Sequence, residues 1–239
     1  LVREEEPVYG DKSILAIIPA RGGSKGVPRK NIRMLAGRAL LAWTVTEAKK
    51  SRYIDRLILS SEDREIISVA LALGCEVPFV RPAELAQDDT PGIEPVLHAL
   101  QALPERYDYV VLLQPTSPLR LVEDIDGCIA MCIEKDASAC VSVTEPANNP
   151  YWMYRLSPEG VLRPLFAQDE IPARRQDLPP VYALNGAVYV ARCDWLLKKR
   201  TFLSDETTAF IMPPGRSLDV DTEMDLQLCE CLLKNLSAR

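Results

Sequence analysis

The residues best placed to do chemistry gather first in one short run. Ile17-Ile18-Pro19-Ala20-Arg21-Gly22-Gly23-Ser24-Lys25-Gly26-Val27-Pro28-Arg29-Lys30-Asn31 joins an apolar segment to a loop rich in glycine and cations. No acidic residue stands between Lys12 and Glu47, and that window holds Arg21, Lys25, Arg29, Lys30, Arg33 and Arg38. The chain has a net charge of −6; setting those six cations aside leaves 22 basic residues against 34 acidic ones. An acidic protein that concentrates cations on one loop is built to hold a polyanion there, and glycines let backbone N–H groups approach it closely. A nucleoside triphosphate is the expected ligand. The competing reading is a mobile basic surface loop. Position argues against it, because α/β folds bind ligands where a strand runs into such a loop. The Walker spacing is not met, since Lys25 follows Gly22-Gly23-Ser24 and is itself followed by Gly-Val-Pro, and the G-x-G-x-x-G fingerprint is absent.

The second constellation is Leu218-Asp219-Val220-Asp221-Thr222. In extended backbone residues i and i+2 point the same way. Two carboxylates roughly 6–7 Å apart repel by about 2–3 kcal/mol at an effective dielectric of 20. A hard divalent cation turns that cost into attraction, and Mg²⁺ favours one or two carboxylates plus phosphate oxygens. The plainer alternative is that Asp221 or Thr222 caps the helix that follows, but a cap needs only one acid. A third cluster, Gln114-Pro115-Thr116-Ser117-Pro118-Leu119-Arg120, follows an apolar run. Gln114 stands at the end of that run, where its amide could read the edge of a base; the plainer alternative is a strand-to-helix turn fixed by the cluster's prolines.

These residues need a frame. Apolar runs predict strands at 14–19, 56–60, 76–80, 108–113, 138–143, 186–191 and 208–212. Helical patterns cover 39–50, 63–73, 93–103, 122–134, 193–199 and 222–236. Such alternation predicts an α/β fold with a mainly parallel sheet covered by helices on both faces. Asp63-Arg64-Glu65 after Ser61 reads as a helix start, Gly74 as a stop, and Thr222-Glu223-Met224-Asp225 as a capping box. Residues 146–182 break the rhythm: seven of the 19 prolines fall there, which forbids a long helix or a central strand. The segment reads as an inserted arm or, more plainly, a surface excursion; its apolar residues argue for the arm and call for a cover, most simply a second copy of the chain. Residues 1–13 are expected as a tail without fixed structure, ahead of one domain over 14–239.

Composition narrows the function. The chain has 239 residues, 47% of them hydrophobic, and no apolar run approaches a membrane span. Nothing at the N-terminus reads as a signal peptide. The seven cysteines are odd in number and lack a C-x-x-C pair, so buried free thiols in a reducing cytoplasm are expected. A single histidine, His98, leaves almost no material for a zinc site or a Ser-His-Asp triad. A pI near 5.0 and the lack of an aromatic-studded basic face argue against nucleic acid.

With these motifs in order, the chain resembles the CMP-sialic acid synthetases (acylneuraminate cytidylyltransferases). The likeness runs from Leu15 to Leu233. It rests on the opening loop, Arg81-Pro82-Ala83-Glu84-Leu85-Ala86, Leu113-Gln114-Pro115-Thr116-Ser117-Pro118-Leu119-Arg120, Arg175-Gln176-Asp177-Leu178-Pro179, Leu184-Asn185-Gly186-Ala187-Val188-Tyr189 and Asp219-Val220-Asp221-Thr222-Glu223. The resemblance implies a Rossmann-like nucleotidyltransferase fold with an inserted dimerisation arm, and transfer of CMP from CTP to a 2-keto-3-deoxy sugar acid. It implies that Arg21, Ser24, Lys25, Lys30 and Asn31 hold the CTP phosphates and ribose, that Arg81 and Gln114 recognise cytidine, and that Asp219 and Asp221 bind Mg²⁺. Arg21, Lys30, Asp219 and Asp221 would carry the catalytic role. Arg175 and Gln176 on the arm would reach the sugar acid, in the partner subunit's site of a homodimer, with Gln114 and Asn185 beside it.

The sequence departs from the family's pattern at Ala183, where relatives carry an arginine, at Tyr151-Trp152, and over Asp88-Asp89-Thr90-Pro91-Gly92. These changes touch the sugar side more than the nucleotide side. The acceptor therefore stays open between N-acylneuraminic acid and legionaminic acid, pseudaminic acid, 2-keto-3-deoxynonulosonate or Kdo. A CTP-binding regulator that has lost turnover is the alternative of a different class.

Overall fold

The strand that precedes the basic loop explains the architecture. In a computed structural model describing residues 11–166 and 174–237, β1 (Ile14–Pro19) is buried along almost its whole length. Its side chains alternate between two cores, as strand geometry requires. Ile14, Ala16 and Ile18 pack with residues of α1 (Leu40–Ala48), α2 (Arg64–Ala72) and α4 (Val122–Glu134), whereas Leu15 and Ile17 pack with α3 (Glu94–Ala102) and α5 (Cys193–Lys199). A strand with helices on both faces must be apolar throughout, which is why β1 and β5 (Tyr109–Leu113) read as unbroken hydrophobic runs.

Six strands form the main sheet, in the order β10 (Thr207–Ile211), β6 (Ala139–Thr144), β9 (Ala183–Arg192), β5, β1, β4 (Arg56–Ser60). β1 runs parallel to β4 and β5, and β10 parallel to β6. β9 is antiparallel to both of its neighbours. A small hairpin, β2 (Met34–Leu35) with β3 (Arg38–Ala39), links the basic loop to α1. The last helix, α6 (Glu223–Ser237), closes a third cluster in which Leu226 and Cys229 meet Leu35, Leu40, Leu119 and Val220. That cluster fastens the segment carrying Asp219 and Asp221 to the chain that leaves the basic loop.

One predicted element does not form. Residues 76–80 contribute a single parallel bridge between Glu76 and Ile58, not a strand; Pro78, with no N–H to give, ends the pairing at once. The arm holds a short hairpin, β7 (Tyr154–Leu156) against β8 (Leu162–Pro164), which among the described residues does not pair with the main sheet. Of the expected tail, residues 1–10 lie outside the described residues. Ser13, its last residue, is already fixed: its N–H and its hydroxyl each donate to Asp108 at 2.8 Å. Six of the seven cysteines are buried and all are free thiols, with Cys231 exposed. Among the described residues no helix is long and apolar enough to cross a membrane.

Candidate active site

The basic loop is shaped by contacts within the protein itself. Val27 is fully buried and pins its middle. Asn31, also buried, donates its side-chain N–H to the carbonyl of Arg21 at 2.9 Å, closing the loop on itself. Arg29 takes a left-handed conformation, φ 56°, and aims at the start of α2, pairing with Asp63 and Glu65. Asp63 is the cap of that helix, accepting from the N–H groups of Glu65 and Ile66 at 3.0 Å. Its hydrogen bonds from Arg29 hold its carboxyl below the usual carboxylate range.

The six loop cations therefore divide. Arg29 is structural, Arg33 pairs with Glu223 at 3.6 Å, and Arg38 lies over the Trp43 ring at 4.9 Å. Arg21, Lys25 and Lys30 turn into a cavity of about 650 Å³ beyond the carboxyl ends of β1 and β5. Ser24 and Asn31 line it too, as do Arg81, Gln114 and Asp221. Eight of the residues selected from sequence thus surround one space.

Each cation in that space already faces an anion. Arg21 and Lys25 both reach Asp88, at 2.8 Å each, and their hydrogen bonds, Lys25's foremost, keep the Asp88 carboxyl low. Lys30 donates to the carbonyl of Val220 at 2.8 Å and to Asp221 at 3.0 Å. Arg81 is buried against Glu62 at 2.6 Å. The other oxygen of Glu62 accepts from the N–H of Gly22, also at 2.6 Å. Glu62 thereby ties the basic loop to Arg81.

Gln114 is held from both ends. Its backbone carbonyl accepts from Arg120 at 3.2 Å and from Thr44 at 3.4 Å. Its side-chain oxygen lies against Gly186, φ +72°, where an added methyl group would sit 3.3 Å away. Arg120 is fully buried and also donates to the Ala187 carbonyl at 2.6 Å and to the Thr44 hydroxyl at 2.7 Å, while its Nε has no hydrogen-bond partner among the described residues. With no carboxylate hydrogen-bonded to it, burial pushes its pKa down to about 10.

The acidic pair is not the helix cap. Thr222 and Asp225 form the capping box of α6: Thr222 N–H donates to Asp225 at 2.8 Å, and Asp225 N–H donates to the Thr222 hydroxyl at 3.3 Å. That frees the carboxylates of Asp219 and Asp221 from capping. Asp221 is exposed and lines the cavity; Asp219 lies outside its lining, half-buried near Thr116 and Tyr189. Burial raises the Asp219 pKa above the ordinary 3.8, the hydrogen bond from Thr116 opposes this, and the nearby Asp221 charge adds to it. Its Oδ1 is buried and has no hydrogen-bond partner among the described residues. An orphaned carboxylate oxygen beside a second carboxylate is a donor set that suits a hard cation. No group of three or more such ligands occurs among the described residues, so the remaining ligands would come from phosphate and water.

Besides Asp219, three selected residues stand outside the cavity lining. Asn185 is buried beneath it, accepting from the hydroxyl of Ser142 at 2.6 Å and donating to that of Ser217 at 3.0 Å. It thus braces the segment that leads to Asp219. Arg175 and Gln176 lie in a short 3-10 turn of the arm, with Gln176 exposed. The cavity also has a side the sequence reading did not assign: Tyr189, Arg200, Thr201, Phe202 and Leu203. Tyr189 and Phe202 contact each other with ring centroids 5.5 Å apart.

A mainly parallel α/β sheet with a basic glycine loop after its first strand and a carboxylate pair beside that loop, Asp221 in the cavity lining and Asp219 outside it, defines a nucleotidyltransferase. Residues 15–207 match the cytidylyltransferase family, and the chain belongs to it. It is 34% identical to a CMP-N,N'-diacetyllegionaminic acid synthase of Legionella pneumophila, over 92% of this chain and 96% of that protein. It is 32% identical to a pseudaminic acid cytidylyltransferase of Campylobacter jejuni, with the same coverage of 92% and 96%. An N-acylneuraminate cytidylyltransferase of Escherichia coli is also 32% identical, over 90% of this chain but only 51% of that longer protein. Among solved structures, CMP:2-keto-3-deoxy-manno-octonic acid synthetase complexed with CTP superposes with a TM-score of 0.71 at 14% identity, covering 94% of this chain and 99% of that one. At that identity the likeness is one of fold.

Proposed function

We propose that this chain transfers CMP from CTP to the anomeric hydroxyl of a nonulosonic acid, a nine-carbon 2-keto sugar acid, with release of pyrophosphate. The observation that carries this is a single cavity with two unlike sides: loop cations Arg21, Lys25 and Lys30 facing Asp221, and a side of Tyr189, Phe202 and Leu203 suited to a sugar ring. The motifs favour an N-acylneuraminic acid. Relatives named for legionaminic and pseudaminic acids match along 92% of the chain, so those acids are tested beside it.

Phosphoryl transfer asks the protein for position and charge more than for covalent chemistry. Arg21 and Lys25 would exchange Asp88 for the triphosphate and neutralise charge growing on pyrophosphate. Lys30, anchored on the Val220 carbonyl, would hold the phosphate chain against Asp221. Gln114, fixed by Arg120 and Gly186, would orient the ligand between the two sides. Asp219 and Asp221 would hold Mg²⁺, which when bound supplies Lewis acidity at the phosphate oxygens. No histidine lines the cavity, and His98 packs edge-on against Phe79.

We further propose a homodimer. Tyr154, Leu156, Leu162, Phe166 and Tyr182 are exposed on the arm, and a two-stranded hairpin cannot cover such a surface alone. A second copy seated there would bring Arg175 and Gln176 toward its neighbour's cavity. Light scattering should give twice the chain mass; a monomer at micromolar concentration would contradict it.

Pyrophosphate release with CTP and Mg²⁺, run against N-acetylneuraminic, legionaminic, pseudaminic and Kdo acids, tests the reaction. Turnover with a nine-carbon acid supports it, and Kdo as the best substrate would overturn the acceptor class. CTP binding with silence for every acid would favour the regulator. Asp221→Ala should abolish turnover at saturating Mg²⁺.

A further inference from the structure

We infer that Arg200 recognises the carboxylate of the acceptor, an assignment that rests on the sugar-acid reading above. Arg200 follows α5 directly and takes a left-handed conformation, φ 54° and ψ 33°, with its N–H donating to Leu196 O at 2.8 Å. Glycine or asparagine fits that position without cost, and an arginine there is strained. The strain places a cation at the edge of the cavity, next in sequence to Thr201, Phe202 and Leu203, which line it as well. Backbone strain kept at a cavity wall points to a role in the cavity.

The other cavity cations have employment elsewhere. Arg21, Lys25 and Lys30 belong to the basic loop, and Arg81 is buried against Glu62. On the side formed by Tyr189 and residues 201–203, Arg200 is the one cation among the described lining residues. A sugar acid bound there brings a carboxylate next to its anomeric carbon, and a guanidinium fork matches that group in shape and charge.

The present partner of Arg200 is Glu94, at 2.5 Å, with side chains 53% and 28% exposed. A pair so open to water is readily exchanged. Asp88 and Glu94 belong to one stretch of chain: residues 87–95 set one carboxylate on Arg21 and Lys25, and another on Arg200. Asp88 sits where the triphosphate would bind. Glu94 itself does not line the cavity, so the Arg200 guanidinium would turn from Glu94 to the acceptor carboxylate.

The plainer reading is a tether between α5 and α3. Steady-state kinetics of the full-length chain separate the two, using Arg200→Met, Arg200→Lys and Glu94→Gln with the preferred acid and its carboxamide. Recognition predicts that Arg200→Met raises the acceptor KM about tenfold or more while the CTP KM and the melting temperature stay near wild type. Arg200→Lys should recover part of the loss. The preference for acid over carboxamide should collapse in Arg200→Met, and Glu94→Gln should hold or lower the acceptor KM. An unchanged acceptor KM in Arg200→Met, or a matching loss of stability in Arg200→Met and Glu94→Gln with kinetics intact, overturns the assignment alone. Wild-type silence with every acid, CTP binding retained, overturns the acceptor reading and the assignment with it.

Discussion

Gly26 lies so close to Asp221 that a methyl group on its α-carbon would fall 2.0 Å from the Asp221 carbonyl oxygen. The basic loop and the acidic segment, about 195 residues apart in sequence, thus meet backbone to backbone. The Lys30 contacts to Val220 and Asp221 complete the same junction. A side chain at residue 26 must push the two halves of the site apart. Gly26→Ala should lower kcat/KM about a hundredfold, the scale of an ångström-sized misplacement, while circular dichroism stays native.

Asp219 trades stability for function. Its folded pKa is raised mainly by burial, so the ionised form is penalised in the fold. A raised folded pKa favours folding below the unfolded value of 3.8 and loses that contribution as pH rises through the folded value. Asp219→Asn should therefore melt a few degrees higher than wild type at pH 7 without Mg²⁺, with the gap closing as pH falls toward 4. The same variant should be inactive. Calorimetry across pH checks the first part, and equal melting temperatures at pH 7 would contradict it.

Asp88 competes with the nucleotide. Its folded pKa is depressed, with Lys25 the first cause, so its contribution is present above the ordinary carboxylate value and is lost as pH falls through the folded one. Asp88→Asn should bind CTP a few-fold more tightly at pH 7, because Arg21 and Lys25 no longer have to give up a carboxylate. Titration calorimetry should show the difference between variant and wild type holding from pH 7 to pH 5, and shrinking only as pH falls below the ordinary carboxylate value.

Glu62 neutralises Arg81, whose side chain is only 3% exposed. Removing one member of a buried pair leaves the other charge stranded. Glu62→Ala should cost about 3 kcal/mol of stability and loosen Gly22 with it. Urea unfolding measures the first effect; a raised CTP KM reports the second.

The frame was legible because chemistry and period coincided. β1 is apolar at every position since both faces are buried, and the loop after it has an acid-free window that no packing need explains. The capping box of α6 was legible at Thr222-Glu223-Met224-Asp225, and because Thr222 and Asp225 form it, neither Asp219 nor Asp221 caps that helix. What escaped was anything defined only by a distant partner. Glu62, Asp88 and Glu94 look like ordinary surface acids until the fold sets them against Arg81, Arg21 with Lys25, and Arg200. Arg29, Arg33 and Arg38 looked like loop cations for a ligand, yet each is spent on the protein itself. The apolar composition of 76–80 suggested a strand; one proline outweighed it.

The most direct test is to follow the α-phosphorus. The enzyme, Mg²⁺ and the preferred acid would be incubated with CTP labelled at the α-phosphate, and in parallel at the γ-phosphate. The α-label should appear in a CMP-sugar acid conjugate and the γ-label in pyrophosphate, in equal amounts. Label that stays in CTP, or appears as free CMP without a conjugate, would contradict CMP transfer.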